Sequence, residues 1–424
     1  MIGVFIIFLF LALILIVKEQ RAFSLFTIYC FLDKGLSFSG PFQIKDVILL
    51  IFISLLFIKK KQYVCSNYPM IFCSILSAFS YLISTYLAQE SHWPFTILKC
   101  VRYFLLPVCF YYFICKSRKE LFFFIKALLG FSIFIVIYSF LELSIGTSPI
   151  VNFINDYNGS GYNMDETFRY GVKRIQAVFI HSTSLGYYCV SVIAFLLFFV
   201  NKNIRRVANL NNILYISTIV GLSIVVFLTG TRSAIVPLAA IYAYTFRKNI
   251  FQMKNFFLLV VCSIICYIIA SAYLGSYFDS IITSVLNTND NAVGSSSDMR
   301  EKQFEIAFLY WSMAPIFGHG AGYTFDIVTP SNPDMYGAES IWMPLLIDNG
   351  ILGCFAYLTC YWTSLKFLLK KVFSLSDIIF LMLLLLMNTT TSVPGFDVSF
   401  IFMLVFAVYS LGFINKGTKS CSVQ

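Results

Sequence analysis

The sequence predicts an all-α fold: a polytopic helical membrane protein of about 12–13 transmembrane helices with one large loop outside the membrane. Three observations carry this. Apolar runs near ~20 residues recur along the chain, the length that crosses a hydrocarbon core of about 30 Å. Segments such as LFLALILIV and IIFLMLLLLM are apolar on every face, whereas a β-barrel would alternate in strands of about 10 residues. Lysines and arginines cluster between the runs, as they do in the cytoplasmic loops of such proteins.

The elements follow in order. Residues 2–17 have the look of a signal peptide, but no small-residue cleavage site follows and further spans begin at once, so the run is read as retained. Residues 22–36 are either a second span or a re-entrant piece. Helices are then expected at 42–58, 68–87, 96–115, 120–142, 183–200, 212–229, 233–246, 255–273, 341–363, 375–391 and 397–413. Between them lie Lys59 to Lys61, Lys116 to Lys119, Lys202 to Arg206, Arg247 with Lys248, Lys366 to Lys371, and Lys416 with Lys419. Keeping every cluster in the cytoplasm closes the alternation without conflict and leaves the C-terminus inside. The outer side then receives 91–94, 145–182, the tight turn 230–232, 274–340 and 390–396. No repeat of fixed period is visible, and residues 1–424 are read as a single integral membrane domain.

The loop 274–340 stands apart in charge. It holds eight acids (Asp279, Asp290, Asp298, Glu301, Glu305, Asp326, Asp334, Glu339) against two bases (Arg300, Lys302), a net of −6 in a chain of net charge +10. Its stretch 287–297 is rich in Gly, Ser and Asn and reads as linker. A short amphipathic helix is expected near 299–313, with Asp298 as N-cap, Glu301 as its capping-box partner and Pro315 as its end. On that helix Arg300, Phe304, Ala307, Phe308 and Trp311 share one face, while Glu301, Lys302 and Glu305 point elsewhere.

Several chemistries are unsupported. The twelve cysteines lie in or beside apolar runs, apart from Cys421, and none falls in 145–181 or 274–340, so no disulfide-stapled outer domain is expected. Cys262 and Cys266 lack CxxC spacing and nearby histidines, and no metal site is assigned. The chain has no P-loop, no DxD pair and no Rossmann fingerprint; the glycines around His319 in FGHGAGYTF follow no strand. No cofactor is expected, and nothing points to nucleic acid.

The candidates for chemistry are the cations expected on the outer side: Arg169, Lys173, Arg174, Arg232, Arg300 and Lys302. Arg232, in TGTRSA, stands at a membrane boundary between two spans, where a charge is costly; it reads either as functional or as a snorkelling anchor. Arginines are natural partners of phosphate oxygens, and a convergence of Arg174, Arg232 and Arg300 would form a pyrophosphate clamp. Glu339, just before a span, is placed to accept a proton from a sugar hydroxyl, or is an acid favoured by a helix N-terminus. Asp348, about nine residues on and inside the span, is either a second functional carboxylate or part of an interhelical contact. His319 is a secondary candidate, and His181 reads as structural.

Four motifs resemble the bacterial O-antigen polymerase and O-antigen ligase superfamily: RIQAVFIHSTSLG at 174–186, LTGTRSA at 228–234, the helix from Arg300 to Pro315 running into PIFGHGAGYTF, and ESIWMPLLIDNGILG at 339–353. Their order against the spans fits, and the resemblance covers about 40–413. It implies a GT-C-like architecture and an inverting, metal-independent glycosyltransferase at the periplasmic face of the bacterial inner membrane. The implied donor and acceptor are glycans on undecaprenyl pyrophosphate, set in membrane lipid, with a chain-length regulator and a flippase as further partners. In that picture Arg174, Arg232 and Arg300 hold the pyrophosphate, and Glu339 is the base. Two departures stand out. Ser182-Thr183 replaces a frequent Pro-Asn, and Glu339 stands where the ligase branch usually has histidine, which favours a polymerase. The alternatives are a ligase acting on lipid A core or protein, and a lipid-linked oligosaccharide flippase or transporter, for which Asp348 and Arg102 are the only near-midplane charges.

Overall fold

The computed structural model describes residues 12, 14, 16, 18–31, 37–39, 42–58, 68–88, 93–100, 102, 105–115, 117–158, 168–169, 172–179, 181–200, 204–205, 208–250, 297–335, 338, 340–369, 375–390 and 403–411. The expected span at 255–273 and most of the linker at 287–297 lie outside them.

Helicity follows from apolar runs that must satisfy their own backbone in lipid. The helices are α1 (Glu19–Cys30), α2 (Ile44–Ile58), α3 (Tyr68–Leu87), α4 (Trp93–Cys100), α5 (Leu106–Phe110, continuing as a π-helical turn over Tyr111–Cys115), α6 (Arg118–Ile145), α7 (Pro149–Asn158), α8 (Ser182–Phe199), α9 (Asn212–Leu228), α10 (Arg232–Ile250), α11 (Ser297–Met313), α12 (Trp342–Leu369) and α13 (Leu375–Thr389). Residues 403–411 are also helical. Two small antiparallel hairpins complete the list: β1 (Ser37–Ser39) with β2 (Phe42–Gln43), and β3 (Phe168–Arg169) with β4 (Val172–Lys173). Among the described residues Arg118–Ile145, Ser182–Phe199 and Trp342–Lys366 are long and apolar enough to cross a membrane, and three shorter apolar helices accompany them. The chain is an all-α polytopic membrane protein.

In the stretch expected as one helix at 96–115, the described residues are all helical, α at 96–100 and 106–110 and π at 102, 105 and 111–115, with Pro107 in the first turn of α5. Of the piece expected at 22–36, residues 22–30 belong to the 12-residue α1, and 32–36 lie outside the described residues. One expectation is corrected. The span expected at 341–363 is broken at Gly350, which has φ 61° and ψ −159°.

Each helix sorts its faces. On α6 Leu121, Phe124, Ile125, Leu128, Ser132, Ile135 and Ser139 are buried, while Phe134, Ile137 and Leu141 are exposed, a helical stripe on either side. Helix α9 likewise exposes Ile213, Ile216, Val220, Ile224 and Phe227. Helix α8 lies at the centre, almost wholly buried, and packs against α9, α10 and α13. Hydroxyls link the bundle: Tyr215 donates to the Leu196 carbonyl at 2.7 Å, and Tyr188 meets Ser132 at 3.1 Å. Such bonds between spans contribute about 1 kcal/mol each.

A second, smaller core lies apart from the main one. Ala307, Val328, Met335, Ala338, Met343 and Ile347 bury one another between α11, the irregular helical segment at 324–335 and the first turns of α12.

Candidate functional site

The site is best built from Arg174. This residue follows the β3–β4 hairpin, and its guanidinium crosses to the turn between α9 and α10. Its Nε donates to the Thr229 carbonyl at 2.8 Å and its Nη2 to the Thr231 hydroxyl at 3.0 Å, while the Ile175 N–H donates to the Leu228 carbonyl at 3.3 Å. Arg174 is thus docked on the TGT of TGTRSA. Gly186 on α8 allows the close approach, because a Cβ there would meet Ala234 Cβ at 3.1 Å and Thr229 Oγ1 at 3.2 Å. Arg232 is the first residue of α10, next to Thr231; its side chain lies outside what the structure describes.

Sequence reasoning missed the group that shapes this platform. Glu142, buried near the end of α6, accepts from the Ala177 N–H at 2.6 Å and the Gln176 N–H at 3.3 Å. Ala177 has φ 49°, an uncommon backbone for a residue with a Cβ. Its carbonyl is held by the Ser148 hydroxyl at 2.6 Å. Both sides of the peptide are therefore fixed three residues from Arg174. The signal was a lone acid near the end of an apolar run, which sequence alone reads as a helix terminus.

A second link reaches the start of α12. The Tyr187 hydroxyl, fully buried on α8, donates to Ser233 Oγ at 2.7 Å and meets Thr390 Oγ1 at 3.0 Å. Thr390 closes α13, and two residues before it the Asn388 carbonyl accepts from the Ile341 N–H at 3.2 Å. The neighbours of Arg232 and the residues that follow Glu339 are so tied to one end of the bundle. Glu339 itself lies outside the described residues.

Arg300 is exposed on α11. That helix starts at Ser297, so Asp298 lies within its first turn rather than before it. The inward face is also not the expected one. Gln303 and Ala307 are buried, whereas Phe304 and Phe308 are 39% and 51% exposed. Gln303 turns in because its amide donates to the Asp334 carbonyl at 2.8 Å, which offsets the cost of burying it. The described contacts bring Arg174 beside the backbone of Arg232. Arg300 stands on α11, which packs against α12.

Asp348 and His319 form a separate unit. Asp348 Oδ2 accepts from the Gly322 N–H at 2.9 Å; Oδ1 accepts from the Thr324 N–H at 2.8 Å and the Thr324 hydroxyl at 2.6 Å. Its carbonyl accepts from Gly320 N–H and Ser84 Oγ, and the Ile347 carbonyl from His319 N–H at 2.9 Å. Past the break, Ile351 and Leu352 donate to the carbonyls of Pro315 and Ile316. The glycine-rich loop thereby satisfies both raw ends of the interrupted helix, as lipid requires. Glycine is needed on both sides: a Cβ on Gly350 would lie 2.6 Å from the Ile316 carbonyl oxygen, and one on Gly318 2.5 Å from the Asp348 backbone. The His319 ring stacks on Tyr323 at 4.5 Å, and its Nε2 lies 2.8 Å from the Tyr310 carbonyl. A carbonyl only accepts, so Nε2 carries the proton.

Arg102 binds Asp46 through two bonds, Nε to Oδ1 at 2.5 Å and Nη2 to Oδ2 at 2.6 Å. Asp46, absent from the sequence-based candidates, is buried and pairs with that charge.

No curated protein matches the chain. Residues 217–358 match the family model described as O-antigen ligase, a segment that takes in three of the four motifs and leaves Arg174 outside. Members of that family are glycosyltransferase-like enzymes. The match covers 142 of the 424 residues and is consistent with the O-antigen polymerase and ligase superfamily that the motifs resemble.

Proposed function

We propose that the protein polymerises lipid-linked oligosaccharide repeat units into a surface polysaccharide, at the face of the bacterial inner membrane that looks into the periplasm. The observation that carries this reading is the docking of Arg174 on the TGTR turn, at the end of the bundle where hydrogen bonds through Tyr187, Thr390 and Asn388 also hold the start of α12. Arginines at that end meet the need of a diphosphate for planar, charged donors.

The chemistry follows from those roles. A hydroxyl of the acceptor sugar attacks C1 of the donor glycan from the face opposite the diphosphate. Glu339 takes the hydroxyl proton. The bond from C1 to the diphosphate oxygen breaks, and Arg174, Arg232 and Arg300 stabilise the charge that grows on the leaving group. The anomeric centre inverts, and the glycan is longer by one unit.

A ligase reading is favoured by the description of the matched family. The acid at 339, in place of the histidine usual in that branch, favours polymerisation. Complementation of a polymerase deletion tests the assignment. Glu339→Ala and Arg232→Ala are expected to leave single capped units on gels; normal long chains from well-expressed variants would remove both roles. Loss of a ligase would instead leave no units attached.

A further inference from the structure

The end of the bundle opposite Arg174 carries a second group of cations that the site does not use. Helices α6 and α9 run parallel, because Glu142 near the end of α6 holds Gln176 and Ala177, while the Leu228 carbonyl at the end of α9 accepts from Ile175. Glu120, in the first turn of α6, lies roughly 33 Å along the helix from Glu142. The start of α1 packs beside it through Arg21. The two helix starts together hold Lys18, Arg21, Arg118, Lys119 and Lys126 against the acids Glu19 and Glu120.

Three of these cations form a line. Phe123 lies one turn from Lys119 and one turn from Lys126, on the same face of α6. The Arg21 guanidinium, reaching across from α1, stands 5.3 Å from the centre of the Phe123 ring and is thereby set between the two lysines. Glu120 does not saturate it: that acid is buried, and the 3.7 Å between Arg21 Nε and Glu120 Oε2 is beyond hydrogen-bond reach. Lys119 and Lys126 are exposed, and among the described residues neither pairs with an acid.

Lys126 marks a level as well as a charge. Gly221 on α9 packs on Val136 so closely that a Cβ there would meet Val136 Cγ1 at 2.8 Å. Counting back along the two parallel helices brings Asn212, where α9 starts, level with about residue 127 of α6. Lys126 therefore stands where the neighbouring apolar helix begins. Beyond it the exposed residues of α6 are Gly130, Phe134, Ile137, Phe140 and Leu141, and a Cβ on Gly130 would meet nothing within 4 Å. A cationic line thus runs into an apolar face that opens with a notch.

We propose that Lys119, Arg21 and Lys126 bind the phosphate of an anionic glycerophospholipid, in the leaflet opposite the Arg174 platform, with its first acyl carbons over Gly130 and beside Phe134. The charges are complementary, and Arg21 offers planar donors held in place by the ring. The apolar face next to the cations selects an amphiphile over a free anion. Helix α1, with 12 residues, is roughly 18 Å long, too short to cross ~30 Å of hydrocarbon. A phosphate shared by Arg21 and the two lysines ties it to α6. The site is independent of the transferase reading.

The test is photolabelling of the full-length protein in phosphatidylcholine nanodiscs that hold a small fraction of phosphatidylglycerol with a diazirine in the first carbons of one acyl chain. Labelled peptides are expected within 119–134, competed by unlabelled phosphatidylglycerol and not by phosphatidylethanolamine or inorganic phosphate. Lys119→Gln/Lys126→Gln is expected to lower that labelling about tenfold or more, and Lys119→Arg/Lys126→Arg to keep most of it. Lys366→Gln, which removes a cation stacked on Trp362 near the end of α12, should leave it unchanged. Labelling spread evenly over the basic helix ends, equal competition by phosphatidylethanolamine, or an undiminished signal in the glutamine variant overturns the proposal. Displacement by inorganic phosphate would mark a site for free anions and overturn it too.

Discussion

Replacing Asp348 should open the glycine-rich loop, and the structure gives the size of the effect. Its carboxylate is the acceptor for two backbone N–H groups and one hydroxyl, all belonging to the buried Gly322 and Thr324. A buried donor that loses its acceptor costs about 1–3 kcal/mol, so Asp348→Ala should destabilise the closed loop by about 3–5 kcal/mol. Asp348→Asn should cost less: one side-chain oxygen still receives Thr324, but its NH₂ then faces the Gly322 N–H, donor against donor. Hydrogen exchange of the peptide covering 315–328 measures this. At about 1.4 kcal/mol per tenfold, the Gly322 and Thr324 amides should exchange more than a hundredfold faster in Asp348→Ala. Gly320, bonded to the Asp348 carbonyl, should change less. Equal exchange at Gly322 and Thr324 in a folded variant would refute the clamp and return Asp348 to the list of functional carboxylates.

Other predictions follow from the same geometry. Gly350→Ala places a Cβ 2.6 Å from the Ile316 oxygen in a backbone region open essentially to glycine, and should cost about 2–5 kcal/mol, read as loss of folded yield; a fully stable variant would contradict the break. Arg174→Lys keeps the charge but not the fork that reaches Thr229 and Thr231 together, and should lower transfer about 10–100-fold, corresponding to ~1.5–3 kcal/mol; an active lysine variant would show that charge alone suffices. Glu142→Gln should release Ala177 and act through Arg174, reducing kcat at near-normal folded yield. An unaltered rate there would make the Glu142 contact purely structural. Tyr187→Phe removes the bridge between Ser233 and Thr390 and should cost about 1–2 kcal/mol of thermal stability, checked by unfolding in detergent.

Much of the fold was legible because lipid makes hydropathy decisive. Helices α3, α9 and α13 lie within two residues of their expected bounds, since an apolar run and a flanking charge define each of them. The break at Gly350 was not legible. It depends on donors and acceptors at 315–324, and the DNG of a span reads locally as a polar patch. Asp348 shows the same limit: its partners are 24 and 26 residues away, and only the folded chain tells a clamp from a catalyst. The α11 stripe was found by spacing, but which residues turn inward was not, because spacing cannot anticipate that Gln303 would find the Asp334 carbonyl. Arg174 was chosen as a cation on the outer side, whereas its docking on the TGT turn, and the Glu142 that shapes its platform, are tertiary facts with no local signature.

Elongation of lipid-linked units is proposed to need this chain alone. The direct measurement is reconstitution of the purified protein with lipid-linked repeat units, with and without lipid A core as a competing acceptor, resolved on gels. A ladder of lengthening lipid-linked glycans is expected without lipid A core, lost in Glu339→Ala. Transfer of intact glycan to lipid A core with no ladder, or an undiminished ladder in Glu339→Ala, would contradict it.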